Sequence, residues 1–426
     1  MTSLWRHGDY LRLWGAQGIS AIGSQITLVA LPLAAILTLD ASAFEVSVLT
    51  GLEFLPFLLL GIPAGVWVDR LRRRPVLVAS DLARALSLLS IPCAYALDAL
   101  TLPQLYAVAL VNGALTVFFT LAYQSYLPEL VERSRLVEAN AKFEATETIA
   151  RLGGPGAGGG LVSLLSAPVA VLADALSFVA SAALILSIRD DEATRRPAED
   201  VEQSGFWHEL REGGRFALRE AYVRPLLATT AILNVGFNMA WAVLLVFAVR
   251  ELDLGAGTVG LVLSAAEVGG LLGAVLTTRI TRWLGVGPAI VGSAAIFAPS
   301  LALVALAPSD GAVPYLVSGW ALVSFGGVIY NSTTVSLRQA YVPQRLQARV
   351  VGFNRSIVWG VSPLGALLGG VLATTVGLRA AILVGAGVTL AALLPALLSP
   401  LRAVRELPEP ADSSVLPSPT LTAAGR

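Results

Sequence analysis

A few ionisable side chains lie inside long apolar segments of this 426-residue chain, where charge is costly and therefore points to function. Glu53 and Glu267 are the leading candidates, because neither has an evident partner of opposite charge in its own segment. A carboxyl group buried without a partner can exchange protons near neutral pH. Glu147 and Arg151 are one helical turn apart, so mutual neutralisation is their competing role. The other ionisable side chains inside the apolar segments are Glu144, Asp174 and Arg355. Asp81 and Arg84 also lie in such a segment and are assigned to the network of a nearby charged loop.

Uncharged polar and aromatic side chains recur at helical spacing in four other apolar segments. They comprise Gln17, Ser20 and Ser24; Asn112, Thr116, Phe119, Thr120 and Tyr123; Asn234, Asn238 and Trp241; and Trp320, Ser324 and Asn331. Amides, hydroxyls and aromatic rings without fixed charge suit a bulky amphipathic organic molecule better than a sugar phosphate or a small ion. Hydrogen bonding between helices is the alternative role for each of them taken singly.

The composition places these groups in a membrane protein. Hydrophobic residues make up 55% of the chain and charged residues only 14%, against about 25% in an average soluble domain. The mean hydropathy is +0.73 and the net charge is zero, so a nucleic-acid partner is not expected. One cysteine, Cys93, and two histidines exclude an intramolecular disulfide and a zinc site built on them. Neither a metal nor a cofactor is predicted, and no P-loop for ATP is present.

Apolar stretches long enough to cross a bilayer, about 20 residues each, recur along the whole chain. They predict an all-α membrane protein with twelve transmembrane helices in two six-helix bundles. The predicted helices cover 11–37, 46–68, 75–97, 102–127, 139–165, 168–188, 225–249, 258–280, 287–306, 313–337, 350–375 and 379–398.

Charge in the connections predicts the orientation and the domain boundaries. Nearly all loop arginines fall on one side, whereas only Arg250 and Arg379 fall on the other. Because basic residues are retained on the cytoplasmic side, both termini are predicted to be cytoplasmic. The predicted parts are an N-terminal bundle (1–188), a cytoplasmic linker (189–222) with an amphipathic or solvated segment, a C-terminal bundle (223–400) and a disordered tail (401–426).

The two halves repeat, and a charged loop carries a recognisable motif. YLPELVERSRLVEAN at 126–140 parallels YVPQRLQARVVGFN at 341–354, each followed by a glycine-rich helix. Parallel six-helix repeats are the internal symmetry of major facilitator transporters. The loop GVWVDRLRRRPVL at 65–77 resembles the signature of that superfamily between helices two and three, with Arg72 where a second glycine is common. The matching residues are Gly65, Asp69, Arg70, Arg73 and Arg74. The resemblance implies a cytoplasmic latch between the bundles; a topology signal alone is the competing role.

A second motif lies in helix five. GGPGAGGG contains Gly154, Pro155, Gly158 and Gly159, which resemble the Gly-Pro element that the superfamily associates with antiport; close helix packing explains the glycines equally. Over nearly the whole chain the sequence is similar to the macrolide-efflux and siderophore-exporter branch, the transmembrane secretion effectors. The basic residue that other drug/proton antiporters carry in helix four has no counterpart in YAVALVNGALTVFFTLAYQ.

These features predict a secondary transporter of the cell membrane that exports a hydrophobic or amphipathic small molecule by alternating access and proton antiport, and not an enzyme. Its predicted partners are the bilayer, the small-molecule substrate and protons, and a monomer is expected. The alternatives are a nutrient or metabolite importer of the same fold and a non-transporting membrane sensor or assembly protein.

Overall fold

The computed structural model describes residues 4, 7–132, 135–189 and 206–407, and the chain is helical without β-strands over these residues. The helices are α1 (Gly8–Thr38), α2 (Ala43–Arg70), α3 (Arg73–Ala96), α4 (Leu102–Leu130), α5 (Leu136–Leu164), α6 (Ala167–Leu186), α7 (Phe206–Arg219), α8 (Val223–Val246), α9 (Ala256–Leu284), α10 (Val286–Ala305), α11 (Ala312–Tyr341), α12 (Gln344–Val376), α13 (Leu378–Ala391) and α14 (Leu393–Leu397). A π-helical turn, Phe247–Glu251, extends α8, and a 3-10 turn, Pro400–Ala403, follows α14.

The predicted twelve-helix fold is confirmed, with α7 as an additional short helix and with α13 and α14 forming the last span. Within the described part of the chain, eleven spans are long and apolar enough to cross a membrane. Helix α5 is the predicted span missing from that set, because its first half is charged and its second half is rich in glycine.

Local sequence explains several helix ends. Ser42 accepts a hydrogen bond from the backbone N–H of Glu45, whose carboxylate accepts one from the N–H of Ser42, so a capping box begins α2. Gly285 and Gly377 have φ values of +93° and +95° and reverse the chain between α9 and α10 and between α12 and α13. Residues with a side chain rarely adopt this backbone conformation, whereas glycine adopts it without strain.

The helices form two bundles with equivalent packing. In the N-terminal bundle, α1 packs on α5 and α6, α2 on α4, and α3 on α4 and α6. In the C-terminal bundle, the corresponding helices pack in the same pairs: α8 on α12 and α13, α9 on α11, and α10 on α11 and α13. The predicted repeat is therefore a repeat of three-dimensional structure.

Two seams join the bundles, α2 with α12 and α5 with α9. In the first, Phe57 stacks on Trp359 with 4.5 Å between the ring centroids, and Gly370 leaves room for Ser47. In the second, Gly159 and Gly260 bring the two backbones into contact. Small residues permit this close approach, as in many membrane helix pairs.

The hydrophobic cores show that the bundles are closed at one end and separate at the other. A large cluster of buried residues spans both bundles, including Leu33 of α1 and Val243 of α8. At the end that carries most loop arginines, hereafter the arginine-rich end, each bundle has a cluster of its own, around Tyr10 and Tyr126 in one and around Phe216 and Leu346 in the other. A crevice between the bundles therefore opens at the arginine-rich end.

An ion pair reinforces the closed end. The Nη2 of Arg250, after α8, donates to Asp40 Oδ1 at 2.7 Å and to the carbonyl of Ala41 at 2.9 Å. Both acceptors lie in the connection between α1 and α2, so this contact crosses from one bundle to the other. Arg379 lies at the same end but contacts Glu251 and the carbonyls of Ala305 and Ala307 within the C-terminal bundle.

The predicted linker contains α7, which packs on the C-terminal bundle. Phe216 is buried against α8 and α12, and Glu212 forms an ion pair with Arg349 of α12. Residues 190–205 of the predicted linker lie outside the described residues, as do 408–426 of the predicted tail. Residues 401–405 of that tail pack on α10, where the N–H groups of Val286 and Gly287 donate to the carbonyls of Arg405 and Val404.

Candidate functional site between the two bundles

The predicted substrate-binding residues lie on α1, α4, α8 and α11. Of these helices, α4 and α11 have no extended packing against each other across the described residues, as expected where the crevice divides the bundles. On α1, Gln17 is half-buried and Ser20 is buried; on α4, Thr116 is half-buried. Asn112 donates from Nδ2 to Ser87 Oγ of α3 at 3.2 Å and to Val108 O at 3.1 Å. Asn112 thus contributes to helix packing, its alternative role.

The C-terminal half of this set contains both packing residues and exposed groups. Asn234 donates to the Thr230 carbonyl at 2.9 Å. Asn238 is buried and donates to the Asn234 carbonyl at 2.8 Å and to Ser362 Oγ of α12 at 3.3 Å. Asn331 of α11 is exposed. An amide is therefore available to a ligand at Asn331, whereas Asn238 is occupied by its neighbours.

A stack of aromatic rings joins α8 and α11, two of the helices that carry the predicted substrate-binding residues. Trp241 of α8 stacks on Trp320 of α11 with 5.3 Å between centroids, and Phe237 lies 5.7 Å from Trp320. These rings pack on the core cluster that spans both bundles. Trp320 is buried, so the half-buried rings of Phe237 and Trp241 are the members of this stack that an organic molecule could contact.

The glycine-proline motif of α5 contacts two helices at once. Gly154 and Gly158 face α1, where a methyl group would overlap with Gln25 and press on Ile26. Pro155 and Gly159 face α9, and the N–H of Gly156 donates to Ser264 Oγ of α9 at 2.8 Å. The motif therefore forms part of one of the two seams between the bundles.

Next to this seam lies the first group of predicted coupling residues. Glu267 of α9 is half-buried and accepts a hydrogen bond from Ser324 Oγ of α11 at 3.3 Å. The charge of Arg151, on α5, acts on Glu267 across the seam and on Glu147 within α5. Arg151 thus connects Glu147 and Glu267, which the sequence assigned to separate groups.

Glu53 has different surroundings. It lies half-buried on α2, where its backbone carbonyl contacts Gly113 of α4. The ionisable group that acts on Glu53 is the like-charged Asp174 of α6. Among the described residues, no cation acts on Glu53 as Arg151 acts on Glu267.

Asp81 and Arg84, both on α3, form an ion pair that is buried where α3 packs on α6. Asp81 is fully buried and also accepts a hydrogen bond from Ser181 Oγ at 2.6 Å. The assignment to the loop network rested on their place near the end of a helix, and no sequence signal indicated that α6 would cover them.

The predicted latch loop contacts the N-terminal bundle. Arg73 pairs with Glu129 at the end of α4 at 3.5 Å, and Arg74 Nε donates to the Ile185 carbonyl at the end of α6 at 3.2 Å. The structure describes only the helical backbone at Gly65, Asp69 and Arg70, so their predicted role stays a prediction.

Comparison with known protein families decides the classification. The model of the Major Facilitator Superfamily matches residues 13–366 and 226–424. The chain belongs to the Major Facilitator Superfamily. The paired bundles and the internal repeat agree with this membership, and the superfamily resemblance predicted from the charged loop is confirmed.

Curated relatives within the superfamily include efflux proteins. The chain is 30% identical over 395 residues to the multidrug efflux pump Tap of Mycolicibacterium fortuitum, covering 89% of this chain and 92% of the relative. It is 24% identical over 381 residues to macrolide efflux protein A of Streptococcus pyogenes, covering 87% and 90%. The predicted similarity to an efflux branch is therefore confirmed.

Solved structures share the fold at low sequence identity. A bacterial homologue of the iron transporter ferroportin in its inward-facing state has a TM-score of 0.73 at 18% identity, covering 93% of this chain and 99% of the other. The outward-facing state of that homologue has a TM-score of 0.57 at 18% identity, covering 91% and 98%. The nucleoside transporter NupG has a TM-score of 0.72 at 13% identity, covering 92% and 98%.

Proposed function

We propose that this chain exports a hydrophobic or amphipathic small molecule across the cell membrane in exchange for protons. The observation that carries the proposal is the crevice between the bundles, which opens at one end and has uncharged polar and aromatic side chains on its helices. The names of the relatives, multidrug and macrolide efflux proteins, support the same substrate class.

The arginine-rich end faces the cytoplasm in this proposal, with both termini on that side, because basic loops are retained there. The crevice would then take up its substrate from the cytoplasm or the inner leaflet. Closure of that end and opening at the Asp40–Arg250 end would release the substrate outside. The transporter would act as a monomer, since each chain contains both bundles.

Glu53 is the better of the two leading coupling candidates. Arg151 compensates the charge of Glu267, whereas the group that acts on Glu53 is another carboxylate. Uncompensated charge in a low-dielectric interior favours proton binding. A proton gradient can do work only through a group whose protonation differs between the two conformations.

The test is efflux of a radiolabelled macrolide from vesicles that contain the protein, with and without an imposed pH step. The wild type should respond to the pH step, and Glu53→Gln should bind the macrolide without that response. Glu267→Gln is compared directly, and Asp98→Asn, at an exposed carboxylate in the connection between α3 and α4, is the matched control.

Macrolide efflux no faster than from empty vesicles would refute the substrate class. Efflux without any response of the wild type to pH would refute proton antiport. A full pH response in both Gln variants would exclude Glu53 and Glu267 as the coupling residues.

A further inference from the structure

Helix α7 lies level with the end of a membrane span. A methyl group on Gly213 would meet the backbone of Arg349 at 2.6 Å, and one on Gly214 would meet the ring of Phe353 at 2.8 Å. Arg349 is the first residue of the span that α12 provides, Arg349–Val376. Because the polar headgroup region of a bilayer borders its hydrocarbon core, α7 is held at the depth of the lipid headgroups.

The face of α12 that α7 covers is the one that faces lipid farther along the helix. Leu364 and Leu368 are 57% and 50% exposed, in the half of α12 that runs to the closed end, so their surroundings are lipid. Leu346 and Val350 precede them by eighteen residues, or five helical turns, and therefore share their face. Both are buried in the cluster that contains Phe216 of α7. Helix α7 thus lies on the outer flank of the C-terminal bundle.

The acidic residues near the end of α7 are engaged by the bundle. Glu212 forms an ion pair with Arg349, and Glu220, just after the helix, accepts a hydrogen bond from the hydroxyl of Tyr341 at 2.7 Å. Together with buried Phe216, these contacts fix the rotation of α7 about its own axis. The direction in which its remaining side chains point is therefore set by the packing.

Three arginines form a stripe on the opposite face of α7, hereafter the arginine stripe. Arg211, Arg215 and Arg219 follow one another at intervals of four residues, and all three are exposed. Four residues are close to one helical turn and advance about 6 Å along the axis. None of the three has an ion pair or side-chain hydrogen bond within the described part of the chain. Leu218, beside the stripe, is 53% exposed.

We propose that the arginine stripe binds the phosphate groups of anionic lipids in the leaflet at the arginine-rich end. Guanidinium groups bind phosphate oxygens through paired N–H donors, and successive arginines of the stripe are near enough to contact one phosphate together. Basic residues beside a membrane attract anionic lipids, and Leu218 meets the boundary of the acyl chains. The proposed function places this leaflet on the cytoplasmic side, but lipid binding itself does not depend on transport.

Quenching of a fluorophore by labelled lipid tests this site in the full chain. Ala221→Cys, an exposed position just after α7, carries the fluorophore in a Cys93→Ser background. The phosphatidylcholine vesicles contain a small share of nitroxide-labelled phosphatidylglycerol or, separately, of equally labelled phosphatidylcholine. The ratio of the two quenching efficiencies measures the local enrichment of the anionic lipid. It should be about 5 or more, since one basic residue near an anionic surface strengthens binding by roughly that factor.

Replacement of the stripe should abolish the enrichment. Arg211→Gln, Arg215→Gln and Arg219→Gln together should bring the ratio close to 1. The matched control removes the same charge from exposed arginines elsewhere at this end of the C-terminal bundle and should keep the wild-type ratio; its substitutions are Arg279→Gln, Arg402→Gln and Arg405→Gln. Salt at about 1 M should lower the wild-type ratio, because it screens exposed charges.

A wild-type ratio close to 1 would overturn the proposal and make α7 a helix without lipid selectivity. Enrichment that survives the substitutions in α7, or that falls equally in the control, would attribute the attraction to the general charge of this end and overturn the stripe. If the α7 variant fails to insert, salt decides, because a wild-type ratio that ignores salt overturns an ionic site. No substrate is present, so efflux can fail while this site stands, and the reverse.

Discussion

Removal of the Arg250 side chain should open the closed end of the transporter. Arg250 links the bundles through Asp40 and the carbonyl of Ala41, and the link can exist only while this end is closed. The Asp40 side chain is 98% exposed, so this ion pair contributes about 0.2–1 kcal/mol. The bond from the charged guanidinium to the carbonyl adds about 1.5 kcal/mol, the lower end of the range because Arg250 is itself exposed. Arg250→Ala should therefore shift the equilibrium by about 2 kcal/mol, or roughly 30-fold.

The shift can be measured as a distance distribution between two spin labels at the arginine-rich end. Val137→Cys on α5 and Ser336→Cys on α11 provide exposed positions in different bundles, with Cys93→Ser removing the native thiol. Arg250→Ala should increase the share of short distances, because this end closes when the other opens. High salt should reproduce part of the effect in the wild type by screening the Asp40 pair.

Arg379→Ala is the matched control for this experiment. Arg379 makes a similar ion pair and two similar carbonyl contacts at the same end, but all of them lie within the C-terminal bundle. It should lower stability without changing the distance distribution. An unchanged distribution in Arg250→Ala, or an equal shift in Arg379→Ala, would refute the assignment of Arg250 as a contact specific to one conformation.

Two further predictions concern the seam and the charged loop. Gly159→Ala should destabilise the protein by about 1–3 kcal/mol and slow efflux, since its methyl group would meet the α9 backbone, including Gly260 Cα at 2.9 Å. Gly160→Ala is its control, with no atom within 4 Å of the added group, and equal thermal unfolding of the two variants would contradict the packing argument. Asp69→Asn should insert normally but lose most efflux, because a latch stabilises one conformation only. Normal efflux by the inserted variant would reduce the loop to a topology signal.

Much of the fold was readable from the sequence because membrane helices are specified by local composition. In a bilayer, a span of about 20 apolar residues must form its backbone hydrogen bonds within itself, as a helix, whatever its neighbours are. The twelve spans were predicted for this reason, and GVWVDRLRRRPVL indicated the superfamily. An amphipathic segment was one of the two predicted forms of the linker, because Phe216 and other apolar residues lie among charges there. The ion pair of Glu212 with Arg349, which holds α7 on α12, was not predicted.

The assignment of partners depended on the tertiary structure. Glu53 and Glu267 occupy similar places in the repeats and have similar sequence surroundings. In the structure, however, Arg151 acts on Glu267, whereas Asp174 acts on Glu53. Asp81 and Arg84 are three residues apart, but their burial depends on α6, about a hundred residues away. The sequence identified Arg250 as one of the two arginines in the connections on the arginine-poor side. Its contact with Asp40, however, spans 210 positions of sequence. Composition and periodicity are properties of neighbouring residues and determine helices. The charge that surrounds a buried group is decided by which distant helices pack on it.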